Sequence, residues 1–246
     1  MRKVFKEYGI YQSTLLLNYT NILHGFAPFS LSTGPVDFSN SQAPELLDFY
    51  KELGISKDSL CFVNQVHGDQ ILSLSTSSVK QGVSLYLQEN YDAIITNRRK
   101  ILMGIKTADC IPIILFDPKT DAGAVVHGGW RSCEKHIIAK VIQKMRQEFG
   151  SASRDIIAVL GPGICQRCYE VGEDVATAFP RSVLTPRNDK FLLDLHKSHQ
   201  KQLIQSGVPD SNIEDLKLCT FHQEKEFFSY RRDQTKKRHL NFLYLI

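Results

Sequence analysis

Apolar residues recur along this chain with two different periods, and the switches between them mark out its elements. Between Ala43 and Leu53 the residues Leu46, Leu47, Tyr50 and Leu53 lie on one helical face, and Gly54 follows as a stop, which predicts a helix. From Leu60 the period becomes two. Leu60, Phe62 and Val66 are set to face one way and Cys61, Val63, Gln65 and His67 the other, so His67 is expected to project from a strand end. Tyr91 to Thr96 and Ile101 to Ile105 are short β-rich runs separated by N-R-R-K, which predicts a hairpin with a solvated basic tip. An apolar run from Ile111 to Phe116 is stopped by Asp117-Pro118, and a second, Ala122 to Val126, ends at His127 where Gly128-Gly129 lets the backbone turn. Beyond it Ile137, Ile138, Val141, Ile142, Met145 and Phe149 form one apolar face before Gly150, the clearest helix in the chain. Ile156 to Leu160 reads as a buried strand turned by G-P-G-I, Asp194 to Gln205 as a helix, and L-K-L-C-T as a further strand. The closing H-L-N-F-L-Y-L-I alternates like an edge or closing strand. Towards the N-terminus, residues 10–23 read as strand material, residues 27–41 as a loop, and the serine-rich residues 73–84 as a surface connection.

Strands interspersed with a few helices, lacking both eight βα units and a G-x-G-x-x-G, predict an α/β (α+β) layered fold. With 246 residues and 42% hydrophobic content the chain can bury a substantial core, and one domain over residues 1–246 is expected. A net charge of +4 is modest, with Lys and Arg scattered except near the end, so neither nucleic acid nor a membrane surface is required as a partner. Nowhere do about 18 apolar residues run together, and the start, M-R-K-V-F-K-E-Y, puts an acid where a signal peptide needs its apolar region. A cytoplasmic monomer is therefore expected, in which six irregularly spaced cysteines are reduced thiols rather than a disulfide framework.

Chemistry concentrates between Thr107 and Arg131. If the two apolar runs there are adjacent strands, the thiol of Cys110 and the imidazole of His127 come together, and both are good zinc ligands. Two ligands do not make a stable site, and His67, at the end of an apolar run and before a glycine, is the candidate third. Two histidines and a cysteinate leave a fourth position open, the arrangement of catalytic rather than structural zinc. A second grouping is C-x-x-C at Cys165 and Cys168 with C-x-x-H at Cys219 and His222. It is set aside because the gap of about fifty residues, holding a predicted helix and strand, is far longer than in zinc modules.

The strings N-Q-V-H-G (64–68), D-A-I-I-T-N (92–97), T-A-D-C-I-P (107–112), V-V-H-G-G-W-R (125–131), G-P-G-I-C-Q-R-C-Y-E-V-G (161–172) and F-F-S-Y-R-R-D (227–233) resemble the YfiH-like family. That family is also called the laccase-domain or polyphenol oxidase family, and more recently a purine nucleoside phosphorylase family. The resemblance runs from about Asn64 to the C-terminus in the family's order. It implies a single-domain layered sandwich of mixed β-sheets flanked by helices, with one metal ion on His67, Cys110 and His127. It further implies zinc, or copper as the alternative ion, and phosphorolysis of purine nucleosides (adenosine, inosine, guanosine, methylthioadenosine) with adenosine deamination as a companion activity. The segment after H-G-F departs from the family pattern, because an arginine usual there is missing; His24 remains a candidate substrate contact.

Roles around the ligands stay divided at this level. Arg131, beside Trp130 at the entrance of the predicted helix, suits a phosphate, or else pairs with a surface acid. Asp109, next to the ligand cysteine, is a candidate catalytic acid or base, or a brace holding a histidine ring. Either Arg231 or Arg232 reaches the substrate or braces the pocket. Two other reactions compete: copper-dependent phenol oxidation, for which eight thinly spread histidines with no H-x-H pair are a poor supply, and a cysteine hydrolase acting on a peptidoglycan precursor with Cys110 as nucleophile. A non-catalytic binding protein is the remaining alternative.

Overall fold

A computed structural model of the chain describes residues 9–26, 30–31, 34–35, 44–56, 59–75 and 85–246. Its strands are β1 (Ile22–Phe26), β2 (Ser30–Leu31), β3 (Gly34–Pro35), β4 (Leu60–Asn64), β5 (Ile71–Leu74), β6 (Leu85–Asn90), β7 (Ala93–Thr96) and β8 (Leu102–Thr107). They continue with β9 (Ile111–Asp117), β10 (Ala122–Gly128), β11 (Ile157–Leu160), β12 (Glu170–Val171), β13 (Leu184–Arg187), β14 (Lys190–Leu193), β15 (Ile213–Asp215) and β16 (His239–Leu245). The helices are α1 (Pro44–Glu52), α2 (Trp130–Glu134), α3 (Ile137–Phe149), α4 (Glu173–Ala176), α5 (Leu195–Gln205) and α6 (Tyr230–Asp233).

The two apolar runs around Asp117-Pro118 form the antiparallel pair β9–β10, with Val126 opposite Ile113 and His127 opposite Pro112. This pair is the centre of a six-stranded sheet of order β15-β11-β9-β10-β7-β5, and a five-stranded sheet of order β1-β16-β8-β4-β6 lies against it. Alternation sorts the side chains. From β9, Ile114 and Phe116 join Met103, Ile105 and Leu243 of the facing sheet, while Ile111, Ile113 and Leu115 point the other way, to Ile138, Val141 and Leu203 of the covering helices. Strands buried on both faces read as continuous apolar runs, which is why β9 and β10 were so visible in the sequence. On the far side Leu60, Phe62, Leu102 and Phe242 pack under Phe49, Tyr50 and Leu53 of the α1 region. The result is a mixed α+β fold in four layers: helix, sheet, sheet, helices. Among the described residues no helix is long and apolar enough to cross a membrane.

Helix α3 buries Ile137, Ile138, Val141, Ile142 and Met145 and stops at Gly150, whose φ of 74° suits glycine. Each such side chain contributes about 1.5–3 kcal/mol on burial, enough together to hold a helix that would be marginal alone. His136, at φ 57°, separates it from α2, so Trp130 and Arg131 begin a short helix of their own and not the long one.

Several expectations fail where pairing is long-range. Tyr91–Thr96 and Ile101–Ile105 do not make a hairpin: β7 pairs with β10 and β5, whereas β8 lies in the other sheet between β16 and β4. Strand β16 is not an edge; it sits between β1 and β8 with every residue buried. Residues 216–220 form no strand beyond an isolated bridge of Cys219 to Gly163. Of residues 10–23 only the end enters β1. The loop expected over 27–41 and the connection over 73–84 lie largely outside the described residues.

His24 is also corrected. It is 2% exposed within β1, and its Nε2 accepts the Ser13 N–H at 2.9 Å; it does not line the cleft described below. Burial pushes its pKa down from 6.5 to about 4, against the pull of the Glu214 carboxylate. Between those two values the unfolded chain binds a proton that the folded chain does not, so stability falls as pH drops through that window and the loss is complete below it. The shift corresponds to about 3 kcal/mol. In His24→Gln, whose amide oxygen can still accept from Ser13, urea midpoints measured from pH 7 to 4.5 are expected to fall less steeply than in the parent. Parallel curves would remove His24 from this role.

Candidate metal centre

His67 follows β4 but is not carried by its alternation. The chain leaves the strand after Asn64, and His67 has φ 60°, a left-handed conformation uncommon outside glycine. Asp92, immediately before β7, holds it there. Its carboxylate accepts the backbone N–H groups of Val66, His67 and Gly68 at 3.3, 2.9 and 2.6 Å. The same carboxylate accepts from Nδ1 of His127 at 2.7 Å, and the His127 N–H donates to the Asp92 carbonyl at 2.8 Å. One fully buried acid therefore sets the turn of one histidine and the ring of the other.

Cys110 completes the group from the turn before β9, where Asp109 has φ 86°. The donor atoms of His67, Cys110 and His127 all lie within 4.8 Å of one another, and the two imidazole centroids are 4.7 Å apart, edge to face. Gly129 is what lets the chain pass: a Cβ there would sit 2.9 Å from Cδ2 of His67 and 3.3 Å from the Cys110 sulfur. Burial alone would raise the Cys110 thiol, but the charges and hydrogen bonds of His127 and His67 outweigh it and bring the thiol down to about 6. For His127, burial is outweighed by the Cys110 thiolate and the Asp92 hydrogen bond, which raise the ring to about 9. The cysteine is thus held as a thiolate. With Nδ1 fixed on Asp92, His127 turns Nε2 to the group, the outer-partner arrangement of metal-bound histidine. A thiolate and two imidazoles converging from three separate segments fit a metal ion.

The group opens on a cleft of about 580 Å³. Trp130, Tyr169 and Tyr230 line it with aromatic surface, and Lys106, Arg131, Arg231 and Arg238 bring positive charge. The guanidinium of Arg131 lies 4.2 Å from the centroid of the Trp130 ring, and that of Arg231 lies 5.1 Å from the centroid of Tyr169. The two arginines of the R-R-D string separate in role. Arg231 lines the cleft, whereas Arg232 turns its guanidinium to the carbonyls of Thr220, Phe221 and Phe227 and braces the chain.

Asp109 lines the cleft too, but its carboxylate is engaged by Thr220 Oγ1 at 2.7 Å, Ser229 Oγ at 3.1 Å and the Arg231 N–H at 2.6 Å. It ties the C-terminal segment to the Cys110 turn, and the carboxylate behind a histidine is Asp92 instead. Asp92 falls inside a family string, yet a lone acid at a strand start carries no local signature of that role. Cys165, Cys168, Cys219 and His222, set aside on spacing, are brought together by the fold.

This chain belongs to the family described as multi-copper polyphenol oxidoreductase laccase, whose model matches residues 27–245. A purine nucleoside phosphorylase of Bacteroides thetaiotaomicron is 34% identical over 173 residues, 67% of this chain, which spans only 62% of that relative's length. Adenosine deaminase RL5, from an unknown prokaryotic organism, is 30% identical over 245 residues, 88% of this chain and 92% of the relative. The crystal structure of the Bacillus licheniformis hypothetical protein YfiH superposes with a TM-score of 0.78 at 24% identity, over 92% of this chain and 93% of that one, and shows the same fold.

Proposed function

We propose that the protein is a zinc-dependent purine nucleoside phosphorylase with companion adenosine deaminase activity, acting on small molecules as a cytoplasmic monomer. The observation that carries this reading is the convergence of His67, Cys110 and His127 in the lining of a cleft that also bears aromatic rings and cations. The naming of relatives as purine nucleoside phosphorylases and as an adenosine deaminase supports it. When bound, zinc supplies Lewis acidity, which can polarise a ring nitrogen of a departing purine or lower the pKa of water towards neutrality.

The chain's own residues do the rest. Trp130, Tyr169 and Tyr230 offer faces against which a purine can stack, and Tyr169 stays a neutral phenol because burial, then the nearby Cys110 thiolate, raise its pKa. Lys106, Arg131, Arg231 and Arg238 make the cleft attractive to phosphate. In phosphorolysis a phosphate oxygen bonds to C1′ of the sugar as the bond from C1′ to the base breaks; in deamination water adds at C6 of adenine and ammonia leaves. The substrates proposed are adenosine, inosine, guanosine and methylthioadenosine. A screen of these nucleosides with and without phosphate tests the reading: free base and sugar 1-phosphate should appear only with phosphate, and inosine should form from adenosine without it.

Arg131 separates the two reactions. Helix α2 has five residues, so its dipole is short and the weight of phosphate binding falls on the guanidinium. A charge-assisted contact of ~1.5–3 kcal/mol corresponds to a roughly ten- to hundred-fold loss of phosphorolysis in Arg131→Ala. Deamination should suffer much less. Equal losses of both activities, with zinc content and folding intact, would show that Arg131 does not serve phosphate.

A second reading is favoured by one observation: Cys110, His127 and Asp92 form a line of thiolate, imidazole and carboxylate, as in a cysteine hydrolase. A triad has no use for His67 against the same sulfur, and that third donor favours the metal. Full activity in rigorously metal-free protein would reverse the preference. Copper is the alternative ion, but two imidazoles in this group are too few for a multi-copper centre.

A further inference from the structure

We propose that Cys165, Cys168, Cys219 and His222 bind a second, structural zinc ion outside the cleft. The long gap that argued against this pairing in the sequence is closed by the sheet. Strands β11 and β15 are parallel neighbours, and the segments leaving their ends stay paired: the Gly163 N–H donates to the Leu218 carbonyl at 3.1 Å, and the Thr220 N–H to the Gly163 carbonyl at 3.1 Å. The C-x-x-C turn and the C-x-x-H turn therefore face each other across two backbone hydrogen bonds.

The geometry fits the ion. A zinc tetrahedron with sulfur at ~2.3 Å and nitrogen at ~2.0–2.1 Å sets its ligand atoms ~3.5–3.8 Å apart. All four donor atoms here lie within 4.8 Å of one another, and Nδ1 of His222 is 3.8 Å from the Cys165 sulfur and 3.7 Å from that of Cys168. No disulfide joins these cysteines. The Cys165 N–H points at the Cys219 sulfur at 3.4 Å. Backbone donors turned to a sulfur in this way stabilise a thiolate, the form that binds metal.

Four protein ligands leave no open position, so this ion would be structural. Its place gives it a task. Between the ligands and the cleft stand Ile164, whose N–H donates to the Asp109 carbonyl at 2.9 Å, and Thr220, whose hydroxyl holds the Asp109 carboxylate at 2.7 Å. Clamping the two turns fixes both contacts, and with them the wall of the cleft beside Cys110. The assignment does not depend on which reaction the cleft performs.

Zinc stoichiometry together with X-ray absorption at the zinc edge tests it. Full-length protein purified without added metal is expected to carry about two zinc ions per chain, and both Cys110→Ser and the Cys165→Ser/Cys168→Ser double variant about one. Zinc retained in Cys110→Ser should show a shell of three sulfurs and one nitrogen, with sulfur at ~2.3 Å, a result that does not require the double variant to fold. One zinc in the parent and one in Cys110→Ser, with that same shell, would keep this site and remove the cleft ion. A zinc-free Cys110→Ser protein, a shell of nitrogen and oxygen only, or a Cys165–Cys168 disulfide in freshly purified protein would each overturn the proposal.

Discussion

Cys110→Ser is expected to empty the cleft of metal and to end both phosphorolysis and deamination while the fold persists. At neutral pH the thiol is already ionised, since His127 and His67 hold it at about 6. A serine hydroxyl in its place stays neutral, and a neutral oxygen is a poor donor to zinc beside two imidazoles. Loss of an outer partner alone typically costs 10–100-fold in metal affinity, so loss of a charged ligand should cost at least ~100-fold. Stability should change little, because Cys110 is half-buried in a turn and belongs to none of the core clusters. Elemental analysis is expected to show about one zinc ion fewer per chain than the parent. Unchanged metal with vanished activity would instead transfer the chemistry to Cys110 as a nucleophile.

What could be read without the fold, and what could not, divides along the range of the interactions. Strands β9 and β10 and helix α3 announce themselves because their periodicity is local and their burial complete. His67, Cys110 and His127 were legible as residue types at the ends of such runs, and the structure places them together. Strand alternation does not aim His67, which is held by Asp92 in a left-handed turn. The hairpin over N-R-R-K and the edge alternative for β16 fail because neighbouring in sequence says nothing of which sheet a strand joins, and β16 is decided by β1 and β8 from far upstream. The grouping of Cys165, Cys168, Cys219 and His222 is hidden for the same reason: it is remote in sequence, and the parallel pairing of β11 and β15 brings it together.

Asp92 holds both histidines of the cleft group in place, and Asp92→Asn should show what that is worth. Both carboxylate oxygens are acceptors, one for His127 Nδ1 and the His67 N–H, the other for the N–H groups of Gly68 and Val66. An amide has one oxygen and one NH2 group, so it cannot serve all of them. If the amide nitrogen faces His127, it donates to Nδ1 and drives the ring proton to Nε2, the atom the metal needs bare. If it faces Gly68 instead, two donors meet where 2.6 Å now separates an N–H from an acceptor, and the His67 turn must open. Either way a ligand is displaced, at an expected cost of 10–100-fold in zinc affinity. Because the group is fully buried, leaving its backbone donors unpaired should also cost ~1–3 kcal/mol of stability. Chelator competition reads the first quantity and urea unfolding of the zinc-free protein the second. Zinc affinity equal to the parent's would show that the metal ligands are oriented without Asp92; a loss of activity at full zinc occupancy would point to the thiolate, imidazole and carboxylate acting as a catalytic line.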